Sequence, residues 1–406
     1  MSDTPAGDTE DNDEGDRGAY TFRLEAGAFG RTFARGGKRL SRRLVFLHPS
    51  DELYGADRML LEILRAVGTE CSVEVWLPND LAHPREESAL CTRLRADGVP
   101  VRHMPLPILR RADRNPRGLA SLLRRSIRLV RAILSERPDV VYCTTSAAFL
   151  CAPLARFAGV QEVIGHVQEV WSPADSSVLS IPARACQLFL CISGPVAASL
   201  PAWARQRTIV VPNGTQAPTR VVPLDGRVGE LKFLVASRWN SWKGHRTLLD
   251  AWDRAGAPGR LVVLGGPPPS GDSVDVLALV ARLQTPESVT VVGEVTDSSV
   301  YIEEADVVVV PSDQPEPFGL VAIEAFARAR PVIASAAGGL LDILTPGGDG
   351  WLFPPGDSES LAKVLAGLSR PEAEAAGRRA QETYRARYTV ERFVADWRSA
   401  VLSTRT

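Results

Sequence analysis

The chain has 406 residues, of which 45% are hydrophobic and 23% charged, with a formal net charge of −1. This is the composition of soluble globular protein, and the length exceeds what one small core serves, so two domains are expected. A balance this close to neutral excludes a global attraction to nucleic acid, and no apolar run reaches the length of a membrane span.

The first 16 residues carry Asp3, Asp8, Glu10, Asp11, Asp13, Glu14 and Asp16 with almost nothing apolar, and residues 31–43 carry six basic side chains and no acid. Residues 1–40 therefore read as a disordered tail, acidic and then basic. It has no signal-peptide core, so the expected location is the cytoplasm. All six cysteines fall in the first half without metal-like spacing, and small core residues are the expected role.

From Arg43 onward, strands alternate with helices. Leu44–Leu47, Val73–Leu77, Val140–Cys143, Val163-Ile164, Leu188–Ile192 and Thr208–Val211 are short apolar runs of strand type. Helices are expected at Asp57–Val67 and Ala147–Phe157. Leu119, Leu122, Leu123, Ile127, Val130 and Leu134 form a helical stripe of the kind that faces a core, with Arg124, Arg125, Arg128 and Arg131 opposite. Residues 215–230 read as a linker.

A second series follows, with strands at Lys232–Ala236, Leu261–Leu264, Val289–Val292, Val307–Val310 and Pro331–Ser335, and helices at Thr247–Arg254 and Gly319–Arg328. Ala376–Leu402 reads as a C-terminal helix. Such alternation predicts α/β architecture, with two Rossmann-like doubly wound domains facing each other across a cleft. The expected boundaries are 41–220 for the first domain, 221–385 for the second, and 386–406 for a helix packing back towards the first. Neither domain opens with G-x-G-x-x-G, which argues against a plain nicotinamide or flavin enzyme.

The most informative segment is ADVVVVPSDQPEPFGLVAIE. Its apolar run breaks into a loop holding Glu316, and the helix that follows carries Glu324. In an open parallel sheet, ligands sit outside the carboxyl ends of the strands, where this loop lies. The N–H groups of Phe318, Gly319 and Leu320 open a helix and favour an anion. Two carboxylates flanking such a helix start suit a ligand with a negative centre and hydroxyls on both sides, as in a nucleotide-sugar. A bland alternative is an i,i+4 pair between Glu324 and Arg328 on a solvated face.

The strand that opens the second domain ends in VASRWNSWKGHRTLL, placing Arg238 and Lys243 at the same carboxyl edge, where a guanidinium fork and an ammonium would neutralise a diphosphate. Gly265-Gly266-Pro267 and Gly293-Glu294-Val295 end there too.

With SRWNSWKG, LGGP, VGEV, EPFGLVAIEAFA, GGLLDIL and DGWLFPPGD in this order, the second domain resembles the GT-B glycosyltransferases of family 4. The first domain resembles them more loosely, through ELYGADRMLLEIL, RPDVVYCTT, GHVQE, CISGPV and VVPNGT.

The resemblance implies that Arg238 and Lys243 hold the donor diphosphate, Glu316 bonds donor-sugar hydroxyls and Glu324 grips the ribose. It places Gly265 in the donor site, Gly293, Glu294 and Val295 by the base, Gly55 by the donor phosphates, and His166 facing the reacting sugar. It implies retaining transfer from a nucleotide-sugar donor to a carbohydrate or lipid-linked hydroxyl, with His166, Glu316, Arg238 and Lys243 catalytic and no metal or other cofactor. The arginines of residues 110–131 and the basic tail add an anionic membrane surface as a candidate partner. Nucleic acid is not expected, because no aromatics interleave with them. Alternatives on the same fold are an epimerase, a pseudosugar-coupling enzyme or a non-catalytic nucleotide-sugar binder.

Overall fold

The computed structural model describes residues 42–51, 53, 55–79, 88–108, 116–268 and 271–403. The expected tail at 1–40 lies outside them.

Two wholly parallel sheets form the frame. The first is built from β1 (Arg42–Leu47), β2 (Cys71–Pro78), β3 (Val101–Met104), β4 (Val140–Cys143), β5 (Glu162–Val167), β6 (Leu188–Cys191) and β7 (Thr208–Val210). The second contains β8 (Leu231–Ala236), β9 (Gly259–Leu264), β10 (Val289–Gly293), β11 (Val307–Val310), β12 (Val332–Ser335) and β13 (Gly350–Phe353). Their orders, β3-β2-β1-β4-β5-β6-β7 and β10-β9-β8-β11-β12-β13, both reverse direction after the first strand of the sheet. That is the doubly wound topology expected from the alternation, and in it loops after the strands converge at one edge. Strands covered on both faces read as unbroken apolar runs, and Val307–Val309 and Val140–Cys143 are fully or nearly fully buried.

Three elements depart from expectation. The C-terminal stretch is two helices, Arg370–Arg387 and Val390–Val401, broken where Thr389 caps the second by accepting from Arg392 N at 3.2 Å. That second helix lays Phe393, Trp397 and Val401 into the first domain's core, with Trp397 Nε1 donating to the Tyr142 hydroxyl at 3.2 Å. At the break, Thr215 and Thr389 form an isolated parallel bridge, so the two passages of the chain between domains are stitched together. Residues 147–157 form a 3-10 turn, Ser146–Ala148, and then a helix, Cys151–Phe157.

The third departure is the helix Pro116–Glu136. Its buried seam runs through Leu129 and Ile133, while Leu119, Leu123, Ile127 and Leu134 of the expected core stripe face solvent. Periodicity alone could not choose between the two, because apolar residues occupy more than half the circumference of this helix. The cysteines are free and buried.

Candidate functional site

A cavity of about 1380 Å³ lies between the two domains, walled by loops at the carboxyl edges of both sheets. On the second domain, β8 runs into Ser237–Asn240, a single turn Ser241–Lys243, and the helix His245–Arg254. Gly244 makes this path possible. Its φ is +73°, and a Cβ there would lie 1.8 Å from the Pro311 carbonyl oxygen. The loop after β8 thus rests directly on the loop after β11. Two hydrogen bonds hold them in register, Asp313 N to Trp242 O at 2.8 Å and Thr247 Oγ1 to Asp313 Oδ1 at 2.8 Å.

This contact brings Lys243 onto Glu316. The ammonium lies 2.9 Å from each carboxylate oxygen, over the Trp242 ring at 4.2 Å. Ser312 Oγ donates to Glu316 Oε2 at 2.8 Å. From behind, the backbone of Glu316 is fixed by Gly338 and Gly339: Gly339 N donates to Glu316 O at 2.7 Å, and a Cβ on Gly338 would fall 2.1 Å from that oxygen. The GGLLDIL motif therefore serves the Glu316 loop as its backing plate.

Gly319, at φ +113°, caps the helix Leu320–Ala327, and Phe318, Gly319 and Leu320 all line the cavity. Across from them the helix Gly55–Val67 begins, with a Cβ on Gly55 only 3.1 Å from Leu320 Cδ1. Two helix starts, one from each domain, thus face the same space. Glu324 lies one turn inside. Its carboxylate pairs across the cleft with Arg58 at 3.7 Å, while Arg328 turns to the Glu324 carbonyl, Ser299 and Glu303. The bland i,i+4 ion pair does not form. Burial pushes the Glu324 carboxyl above its ordinary value, against the pull of Arg58 and Arg328.

Arg238, Glu294 and Val295 also line the cavity. Gly265 and Gly293 do not. They brace its floor: Gly265 N donates to Gly293 O at 2.7 Å, and a Cβ on Gly265 would meet the Ser237 oxygen at 2.0 Å. His166 is likewise absent from the cavity wall. It sits on β5 rather than after it, buried edge-on against Tyr142 with ring centroids 5.9 Å apart. Burial lowers its pKa to about 3, so it is neutral. His166 thus lies within β5 and off the cavity wall, because β5 runs three residues past the apolar pair Val163-Ile164.

The residues that do emerge from β5 into the cavity are Gln168 and Glu169. Glu169 Oε2 accepts from Ser146 Oγ at 2.8 Å and Gln168 N at 3.2 Å, and Trp171 Nε1 steadies Ser146 at 2.9 Å. Desolvation raises the Glu169 pKa, opposed by these hydrogen bonds. This carboxylate ends the GHVQE motif, and nothing in the residue pattern marks it as a site residue. Two further features carry no sequence signal: Asn213, which lines the cavity with its buried Oδ1 unpartnered, and the buried His48–Asp57 pair (2.7 Å) behind the first-domain loop. Among the described residues no group of three or more His, Cys, Asp or Glu side chains is arranged to hold a metal.

The family model for glycosyl transferases group 1 matches residues 230–370. Curated relatives include D-inositol 3-phosphate glycosyltransferases of Mycobacterium marinum, 40% identical over 29% of this chain and 26% of that protein, and of Xylanimonas cellulosilytica, 36% identical over 42% and 40%. The chain thus spans between about a quarter and two fifths of the length of these relatives. Among solved structures, Anabaena HepE in complex with UDP and glucose superposes with a TM-score of 0.75 at 22% identity, covering 89% of this chain and 99% of that one. Residues 230–370 thus resemble the group 1 glycosyl transferases, and the chain shares its two-domain GT-B fold with solved structures over 89% of its length.

Proposed function

We propose that the protein is a retaining, metal-independent glycosyltransferase that moves a sugar from a nucleotide-sugar donor to a hydroxyl. The observation that carries this reading is the joining of Lys243, Glu316, Glu324 and the helix start at Gly319 on one wall of a single interdomain cavity. A nucleoside diphosphate at that helix start would have the cations Arg238 and Lys243 beside it and carboxylates on either flank. The relatives named for glycosyl transfer, and the UDP bound in HepE, agree with such a donor.

Breaking a glycosyl–phosphate bond passes through a cation-like sugar while negative charge gathers on the departing diphosphate. Arg238, Lys243 and the peptide N–H groups at 318–320 stabilise that charge where it develops, which leaves no step that requires a metal. Glu316, with both oxygens held by Lys243 and one by Ser312, is a poor nucleophile and a good hydroxyl acceptor. The acceptor's proton passes to a leaving-group oxygen of the donor.

The acceptor in this reading is a carbohydrate or lipid-linked hydroxyl in polysaccharide, glycolipid or related glycoconjugate synthesis, at the cytoplasmic face of the membrane. A thermal-shift screen against UDP-, GDP- and ADP-sugars tests the donor. A specific ligand at one hundred times its Kd stabilises the fold by roughly 2.7 kcal/mol. Absence of any shift overturns the reading. NMR of the product's anomeric centre tests retention, and undiminished turnover in EDTA tests independence from metal.

A further inference from the structure

The outer face of the helix Pro116–Glu136 combines two features that rarely meet on an ordinary solvated helix. Leu119, Leu123, Ile127 and Leu134 are 66%, 63%, 45% and 52% exposed. At about 100° per residue these four fall within an arc of about 80°. Arg131, Arg124 and Arg128 occupy the arc of about 60° that comes next, all exposed. Residues 116–135 contain no acid, and Glu136 is already bound by Arg43 and Arg102.

The helices Cys151–Phe157 and Pro173–Ala183 also expose apolar side chains, Phe157 and Ile181, at 82% and 76%. Single exposed leucines are unremarkable, but an apolar stripe bordered by arginines marks an interaction face. The topology also gives the stripe a direction. Glu136 leads to the amino end of β4, so Leu119 lies towards the carboxyl edge of the sheet, where the cavity opens.

We propose that this face of the first domain docks on an anionic membrane, with the four aliphatic side chains entering the acyl boundary and Arg124, Arg128 and Arg131 meeting lipid phosphates. Apolar residues on one arc and arginines beside them, with no acid between, match the interfacial layering of a bilayer; a protein partner would need acids to complement the arginines. No helix among the described residues is long and apolar enough to cross a membrane, so attachment through this face is peripheral. Taken with the glycosyltransferase reading, on which this consequence rests, the cavity mouth beside a membrane selects an acceptor hydroxyl borne on a lipid.

Flotation of the full-length chain tests the docking. The protein should rise with vesicles of phosphatidylcholine containing one-third phosphatidylglycerol, and stay behind with phosphatidylcholine alone. The double substitutions Leu123→Glu/Ile127→Glu and Arg124→Glu/Arg128→Glu lie on the surface and should each lower partition by roughly tenfold or more. Both should keep nucleotide-sugar binding. Equal recovery on neutral and anionic vesicles, or flotation of the variants like the parent, overturns the proposal. So does a parent dimer that the first variant converts to monomer without any change in flotation, since the face would then join two copies. A chain that floats yet binds no nucleotide-sugar overturns the glycosyltransferase reading alone.

Discussion

Lys243 and Glu316 form a bidentate ion pair on the wall of the site, 2.9 Å from the ammonium to each oxygen, although they come from loops 73 positions apart. The pair sits half-buried, with Trp242 beneath the ammonium. Because both partners serve a nucleotide-sugar in the proposed function, the pair holds each side chain in place until a diphosphate draws Lys243 away and releases Glu316 to sugar hydroxyls. Lys243→Ala should weaken donor affinity by about 10- to 100-fold, the range of one charge-assisted hydrogen bond. Calorimetric titration with the nucleotide-sugar found by thermal shift measures it. Lys243→Arg should restore little, because the longer, bulkier guanidinium cannot occupy the ammonium's position 2.9 Å from both Glu316 oxygens.

Glu316→Gln and Glu324→Ala should separate by symptom. The first removes the charge beside the reacting sugar and turns one acceptor oxygen into an amide donor, and should cut turnover at least about tenfold while nucleotide binding changes little. The second should raise the donor's Kd about tenfold, as expected for lost hydrogen bonds to a carboxylate, with a smaller effect on saturated turnover. Steady-state kinetics over a donor series reports both. Full activity in both variants would end the assignment of these roles.

Gly244 is the hinge pin on which the Lys243–Glu316 contact depends. Gly244→Ala forces a Cβ into the Pro311 carbonyl at a left-handed φ. It should destabilise the protein by at least about 2 kcal/mol and loosen donor binding together. Urea denaturation paired with donor titration would show both losses, and an unperturbed Kd would show that the loops are positioned by other means.

Glu169 reaches the cavity from the first domain, apart from the donor residues of the second. Glu169→Gln keeps the shape of the side chain and its contact to Ser146 but removes the charge. In the proposed reaction it should raise the acceptor KM several-fold, leave donor binding unchanged, and alter the pH profile of acceptor turnover. A variant with wild-type acceptor kinetics would limit this carboxylate to a structural part.

Two buried histidines should lower stability at acid pH. Burial lowers the His166 pKa to about 3 and the His245 pKa to about 4, the latter with help from the Lys243 charge. Their unfolded values lie near 6.5, so below that pH the unfolded chain binds protons that the folded chain refuses. The stability they permit is whole above about 6.5 and drains away as pH falls towards 3–4, at up to about 1.4 kcal/mol per pH unit for each histidine. Denaturation midpoints at pH 7 and pH 5 should differ accordingly, and His166→Phe should shrink the difference.

Much of this arrangement can be read in the sequence because strands buried on both faces announce themselves. Val307–Val310 is an apolar run that ends at a proline, and the loop beyond it must lie at the carboxyl edge. Order along the chain then places SRWNSWKG and EPFGLVAIEAFA together. What local pattern could not supply is parity and packing. His166 stands two residues past the clearest apolar pair of β5, and only the register of that strand against β6 decides that its ring turns inward. The stripe on residues 119–134 has the right period for a core face, yet Leu129 and Ile133 make the actual seam. Gly265 and Gly293 share the motifs of cavity-lining neighbours but act one layer below, a distinction that lives in backbone approach.

The bridge between Thr215 and Thr389 reaches beyond local packing. A polypeptide that passed once between its halves could swivel about a single backbone bond. Here two passes are laced side by side, so twisting one half against the other would have to shear both. That double tether keeps the helix starts at Gly55 and Leu320 facing each other.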